Sequence, residues 1–173
     1  KPFDLFNPDR KSSLKLYINR VFITDKCDNL IPAYLRFVKG IVDTQDIDLN
    51  VSREMLQNNP AVAKISKSLV GKILRELKKI ADKDKAKYIQ FWNEFGQVLK
   101  EGLYEDLERK DTLLELARFS NNENDDLISL EDYVNTMDKN QKDIYYIAAD
   151  SKSQALSSPH LEGFKSKGIK VLV

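Results

Sequence analysis

The segment DLNVSREMLQ, residues 48–57, carries the side chains best suited to chemistry in this chain. Ser52 stands where a short helix would begin, Arg53 falls in its first turn, and Gln57 follows four residues later on the same face. A guanidinium is a planar fork of donors that matches a phosphate, and a carboxamide adds a neutral donor beside it. A second reading fits the same residues: Arg53 pairs with a carboxylate such as Asp48 and anchors a loop. Residue types alone favour that second reading. A weaker anion signal lies at Asp150-Ser151-Lys152-Ser153, an expected strand-to-helix turn whose amides could face an anion. Capping by Asp150 or Ser151 explains those residues equally well.

Other candidate chemistry is thin. Residues 120–131 imitate the spacing of a calcium loop through Asn122, Asn124, Asp126 and Glu131. The first position is Ser120, however, and the sixth is Asp125 where the sharp turn needs Gly. A polar loop leading into a capped helix accounts for the same residues. A single Cys, Cys27, and a single His, His160, leave no ligand set for zinc and little for a Cys–His nucleophile. Cys27 reads as a turn residue and His160 as an exposed loop residue. No Gly-rich phosphate loop of the common spacings is present. Self-contained enzyme chemistry and a metal centre are therefore not expected.

These residues must be positioned by elements that the apolar pattern outlines. Residues 14–23 alternate Leu14, Leu16 and Ile18 with Lys15, Tyr17 and Asn19, the period of a half-buried strand. Pro32 followed by Tyr34, Leu35, Phe37, Val38 and Ile41 predicts a helix, and residues 47–51 a short strand or extended link before the helix capped by Ser52. Asn59-Pro60 opens an amphipathic helix through Val62, Ile65, Leu69, Ile73, Leu77 and Ile80. A charged break at 82–87 precedes a second stripe, Tyr88, Phe91, Trp92, Phe95, Val98 and Leu99, closed by Gly102. Trp92 reads as core. A third helix is expected over 109–119, and Ser129 with Asp132 predicts a capping box opening a helix to about Met137. The apolar runs 143–149 and 168–173, joined by a helix-compatible stretch, predict a parallel βαβ unit.

The chain has 173 residues, 42% hydrophobic and 32% charged, with a net charge of +1. That composition supports a globular core and argues against disorder. Near-neutrality argues against duplex DNA as a partner, and no apolar run reaches the roughly 20 residues that span a bilayer. Residues 60–102 hold 10 basic and 5 acidic groups, residues 103–173 hold 9 and 14. This asymmetry predicts more than one structural unit. One cysteine and no signal-like segment point to a reducing cytoplasm. The absence of an initiator Met and the ending inside an apolar run predict a piece of a longer protein.

In combination, LKLYINRVFITD (14–25), IPAYLRFVKGIVD (31–43), DLNVSREMLQ (48–57), ISLEDYV (128–134) and QKDIYYIAADS (141–151) resemble the middle domain of the heat shock protein 90 chaperone family. SSPHLE (157–162) and YIQFWNEFGQVLKEG (88–102) point to its bacterial branch. The resemblance implies an α/β fold: part of a larger α/β sandwich with the catalytic loop at 1–59, a helical coil of about three helices at 60–120, and a smaller α/β sandwich at 121–173. It implies an ATP-dependent, homodimeric chaperone, with ATP and Mg held mainly by an N-terminal domain outside these residues. Arg53 then corresponds to the residue that reaches the γ-phosphate, Gln57 to a second contact in the same loop, and Phe22 to an apolar residue that positions the loop. Phe3 and Phe6 correspond to a patch for client or cochaperone contact. Implied partners are unfolded or partly folded clients and the protein's own N-terminal ATPase and C-terminal dimerisation domains. Neither nucleic acid nor membrane is implied, and the 173 residues alone would be an inactive monomer.

Overall fold

The computed structural model describes residues 13–25, 27, 29–49, 55–56 and 58–173. The chain divides into two compact units, residues 1–113 and 114–173.

In the first unit the alternating stretch forms strand β1 (Ser13–Ile18), with Leu14, Leu16 and Ile18 buried. The expected single strand over 14–23 is instead a hairpin, because Asn19 and Arg20 both take positive φ, 48° and 67°. Two consecutive left-handed residues make the tight turn whose twist matches paired strands, and Asn tolerates it well. Strand β2 (Val21–Thr24) returns antiparallel, with Tyr17 opposite Phe22 and an irregularity between Leu16 and Tyr17.

The helix expected from Pro32 to Ile41 is not formed. A three-residue 3-10 helix (Ala33–Leu35) gives way to strand β3 (Lys39–Thr44), which pairs parallel to β1 in the order β2-β1-β3. Tyr34 and Leu35 are both fully buried, so one turn of helix already places its apolar residues. Beyond it, the ladder to β1 takes over the backbone groups, and Ile41, Val42 and Thr44 are β-branched residues suited to a strand. Ile41, expected to be part of an apolar face, is 67% exposed. Residues 47–49 form no strand.

Helix α1 (Pro60–Lys83) begins as expected: the Asn59 side chain accepts from the Ala61 amide at 2.8 Å and Pro60 occupies the first turn. Its deepest line is Val62, Val70, Leu74, Leu77 and Ala81, with Ile65, Leu69, Ile73 and Ile80 half-buried beside it. The expected break shrinks to one residue. Asp84 ends α1 and caps α2 (Lys85–Glu105) by accepting from the Lys87 amide. The second stripe supplies an aromatic cluster in which Phe37 packs on Phe91 and Phe95, and Trp92 is buried as expected. A 3-10 turn (Leu107–Arg109) leads to α3 (Lys110–Leu116).

In the second unit Ser129 and Asp132 form the expected capping box at the start of α4 (Leu130–Asn135). The βαβ pairing is parallel, as predicted, but reduced to a single bridge between Tyr146 and Leu172. Side chains claim the backbone bonds a longer ladder would use. The Tyr133 hydroxyl accepts from the Tyr145 amide at 3.1 Å, and the Asn122 carboxamide accepts from the Val171 amide at 2.8 Å. Between these runs lie α5 (Lys152–Leu156), a 3-10 turn (Pro159–Leu161) and α6 (Glu162–Ser166).

Candidate functional site

The site signal at 48–57 lies in the connection between β3 and α1. Arg53 and Gln57, like Phe3 and Phe6, fall outside the described residues. Described residues flank Arg53 and Gln57 in the chain. Met55 and Leu56 are helical, Met55 61% exposed and Leu56 buried, and Asn59 caps α1 three residues on.

The other end of this connection is fixed by the hairpin. The Asn19 amide donates to the Thr44 carbonyl at 3.0 Å, and the Arg20 amide donates to Asp43 Oδ1 at 3.1 Å. The tip of the β1–β2 hairpin is thus bonded to the end of β3, where the connection departs. Phe22 is on this hairpin, about half exposed, with its ring edge-on to Tyr17 at 5.5 Å. The Asn19-Arg20 turn was missed in the sequence. Its signal is an Asn inside an otherwise alternating run.

A second feature without an expectation is the anchor of residues 33–37 on α2. Tyr34 donates to Asp106 Oδ2 at 2.8 Å, an oxygen that also accepts from Arg109 Nη1 at 2.8 Å. Burial, reinforced by the bond to Asp106, pushes the Tyr34 phenol well above its ordinary range. Arg36, 7% exposed, donates both guanidinium nitrogens to Glu101, at 2.7 and 2.9 Å, and one of them to the Ala33 carbonyl. The available signal was a charged residue within the apolar run Tyr34-Leu35-Arg36-Phe37-Val38. Next to this anchor an open groove of about 650 Å³ is lined by Ile31, Pro32 and Val62 together with Asn58 and Asn59. Its charges are mixed, Lys67 and Arg109 with Asp106 and Glu108, so it is not an anion trap.

The minor candidates resolve into structure. Ser151 caps α5 by accepting from the Gln154 amide, and Lys152 Nζ donates to Asp125 Oδ1 at 2.9 Å and to the Asn124 carbonyl. That bond holds the exposed Asp125 carboxyl below its usual range. In the polar loop, fully buried Asn121 donates to Asn124 Oδ1 and the Asp126 carbonyl and accepts from the Glu123 and Asn124 amides. His160 is exposed and Cys27 is buried. Among the described residues no group of three or more His, Cys, Asp or Glu is placed to hold a metal ion, and no helix is long and apolar enough to cross a membrane.

Comparison with known proteins agrees along the whole chain. The sequence model of the Hsp90 protein family matches residues 1–173. The chain is 56% identical over 173 residues to the chaperone protein HtpG of Paramagnetospirillum magneticum, and 54% identical over 172 residues to that of Roseobacter denitrificans. It spans 28% of the length of each of these relatives and 100% and 99% of its own. Among solved structures it resembles the middle domain of a putative heat shock protein of Plasmodium falciparum, with a TM-score of 0.78 and 32% identity, covering 95% of this chain and 64% of that one. The chain therefore belongs to the Hsp90 family and has the fold of its middle domain.

Proposed function

We propose that these residues serve an ATP-dependent folding chaperone by delivering Arg53 to the γ-phosphate of a nucleotide bound by an N-terminal domain. The observation supporting this reading is the family match along the entire chain, taken with the resemblance of the stretch SREMLQ, which holds Arg53 and Gln57, to the family's phosphate-contacting loop. The donor set fits one contact with a nucleotide. A guanidinium and a carboxamide can donate to γ-phosphate oxygens, while Mg would be held by the nucleotide and the N-terminal domain. ATP with its Mg supplies the phosphoanhydride whose cleavage drives the cycle. Arg53 stabilises charge that grows on the transferred phosphoryl group, and a contact made only in a closed state couples turnover to closure.

Phe22 is the positioning residue on the hairpin side of the connection, and Phe3 and Phe6 offer contact to clients or cochaperones. In this reading the whole protein is a cytoplasmic homodimer, the 173 residues alone are inactive and monomeric, and the chain divides into subdomains at 1–59, 60–120 and 121–173.

The test is Arg53→Ala in a full-length chaperone carrying this sequence, with ATP turnover and ATP affinity measured on one sample. Turnover falling by about 10²-fold or more at nearly unchanged affinity is expected of a group acting in the transition state. Unchanged turnover in a folded variant overturns the reading, leaving Arg53 structural and the domain a passive binding scaffold.

A further inference from the structure

We propose that the Arg36–Glu101 ion pair, with the Tyr34–Asp106 hydrogen bond beside it, is a positioning device for the connection that carries Arg53. The inference rests on the catalytic reading of Arg53 above and extends it to residues on a different element.

The short segment 33–37 has little structure of its own. Its 3-10 helix is three residues long, and Pro32 before it provides no side-chain cap. It is held from outside by α2. The Tyr34 ring lies so close to Gly102 that a Cβ there would sit 2.9 Å from the ring's Cγ and Cδ2. Tyr34 donates to Asp106, and Arg36 grips both oxygens of Glu101. Three residues after Arg36 the chain enters β3, so this grip sets where β3 begins along β1. The connection leaves from the end of β3 and is received by Asn59, the cap of α1. Helix α1 also packs on α2. Both ends of the Arg53 connection are therefore referenced to one helix, at one end through a charge pair and at the other through apolar packing.

The chemistry of that pair suits placement better than stability. Removing two charges from water costs about what their attraction returns, so apolar replacements of buried pairs are often neutral or stabilising. A forked guanidinium on a carboxylate fixes distance and angle together, which apolar contacts do not. A misplacement of about 1 Å at a reacting group can cost on the order of 10²-fold in rate. Arg36 and Glu101 are thus assigned as positioning residues: neither is placed at the nucleotide.

The experiment compares Glu101→Gln and the apolar pair Arg36→Met/Glu101→Leu with the unmodified full-length chaperone, each also in an Arg53→Ala background. The measurements are ATP turnover, KM for ATP and thermal midpoint. The expected result is turnover lowered about tenfold by either change at unchanged KM, with the apolar pair as heat-stable as the parent. In the Arg53→Ala background the same changes have no further effect, because positioning acts only through Arg53. The inference is overturned if the apolar pair, folded and stable, turns over ATP like the parent. It is equally overturned if the two effects multiply, which marks a general structural role. An Arg53→Ala variant with parental turnover instead refutes the catalytic reading itself.

Discussion

Two glycines on neighbouring helices should respond to the same substitution with opposite signs. A Cβ on Gly102, in the last turn of α2, would lie 2.9 Å from Leu113 Cδ1 and 2.9 Å from Tyr34 Cγ and Cδ2. Carbon atoms pack at about 3.5–4.0 Å, so the methyl intrudes on two side chains at once. Both are fixed: Leu113 is buried, and Tyr34 is fully buried with its hydroxyl bonded to Asp106. Overpacking of this kind costs about 1–3 kcal/mol, and the better helix propensity of Ala returns up to about 1 kcal/mol. A net loss of up to about 2 kcal/mol follows for Gly102→Ala. Gly71 in α1 has Arg75 Nη1 as its nearest neighbour, at an ordinary 3.9 Å. With nothing to displace, Gly71→Ala should gain about 0.5–1 kcal/mol. Trp92 is the only tryptophan and is buried in α2, so its fluorescence reports unfolding of the first unit in urea. At a slope of about 2 kcal/mol/M the midpoint should fall by up to about 1 M for Gly102→Ala and rise by about 0.3–0.5 M for Gly71→Ala. A Gly102→Ala midpoint at or above that of Gly71→Ala would refute the packing argument.

Tyr34, whose phenol is pushed up chiefly by burial, contributes stability that is complete below the ordinary tyrosine pKa and is lost as pH rises above it. Urea midpoints measured from about pH 9 upward should therefore decline less steeply in Tyr34→Phe than in the parent; parallel declines would contradict the assignment. In the second unit Asn121→Ala strips partners from the Asp126 carbonyl and from the Glu123 and Asn124 amides. A cost of about 1–3 kcal/mol is expected, with faster hydrogen exchange at those two amides, and unchanged exchange would show that the loop holds itself.

Local chemistry was readable wherever an element is decided by its own ends. The Asn59-Pro60 start of α1, the Ser129–Asp132 capping box and the alternation of Leu14, Leu16 and Ile18 are written within a few residues, and each formed as expected. Elements decided by distant partners were misread. Residues 32–41 carry apolar spacing compatible with a helix, yet β1 offers a parallel ladder and α2 a carboxylate for Arg36, and those nonlocal bonds outweigh propensity. The run at 143–149 has the composition of a buried strand, yet Ile144 and Tyr146 are exposed and one bridge remains, because Tyr133 captures the Tyr145 amide.

The candidate site divides along the same line. The sequence by itself offered Arg53 and Gln57 as candidate donors and, through its recurring words of residues, the family of the chain, since neither a fork of N–H groups nor a word needs coordinates. It held no sign that Arg36 and Glu101, 65 residues apart, would close on each other, or that Tyr34 would need Gly102 to have no side chain. Those pairings depend on how α2 returns past the segment before β3, a geometry fixed by packing between elements. The sequence named candidate groups for the chemistry, and the tertiary structure decided the pairings of Tyr34 and Arg36 with α2, because those depend on packing between elements distant in the chain.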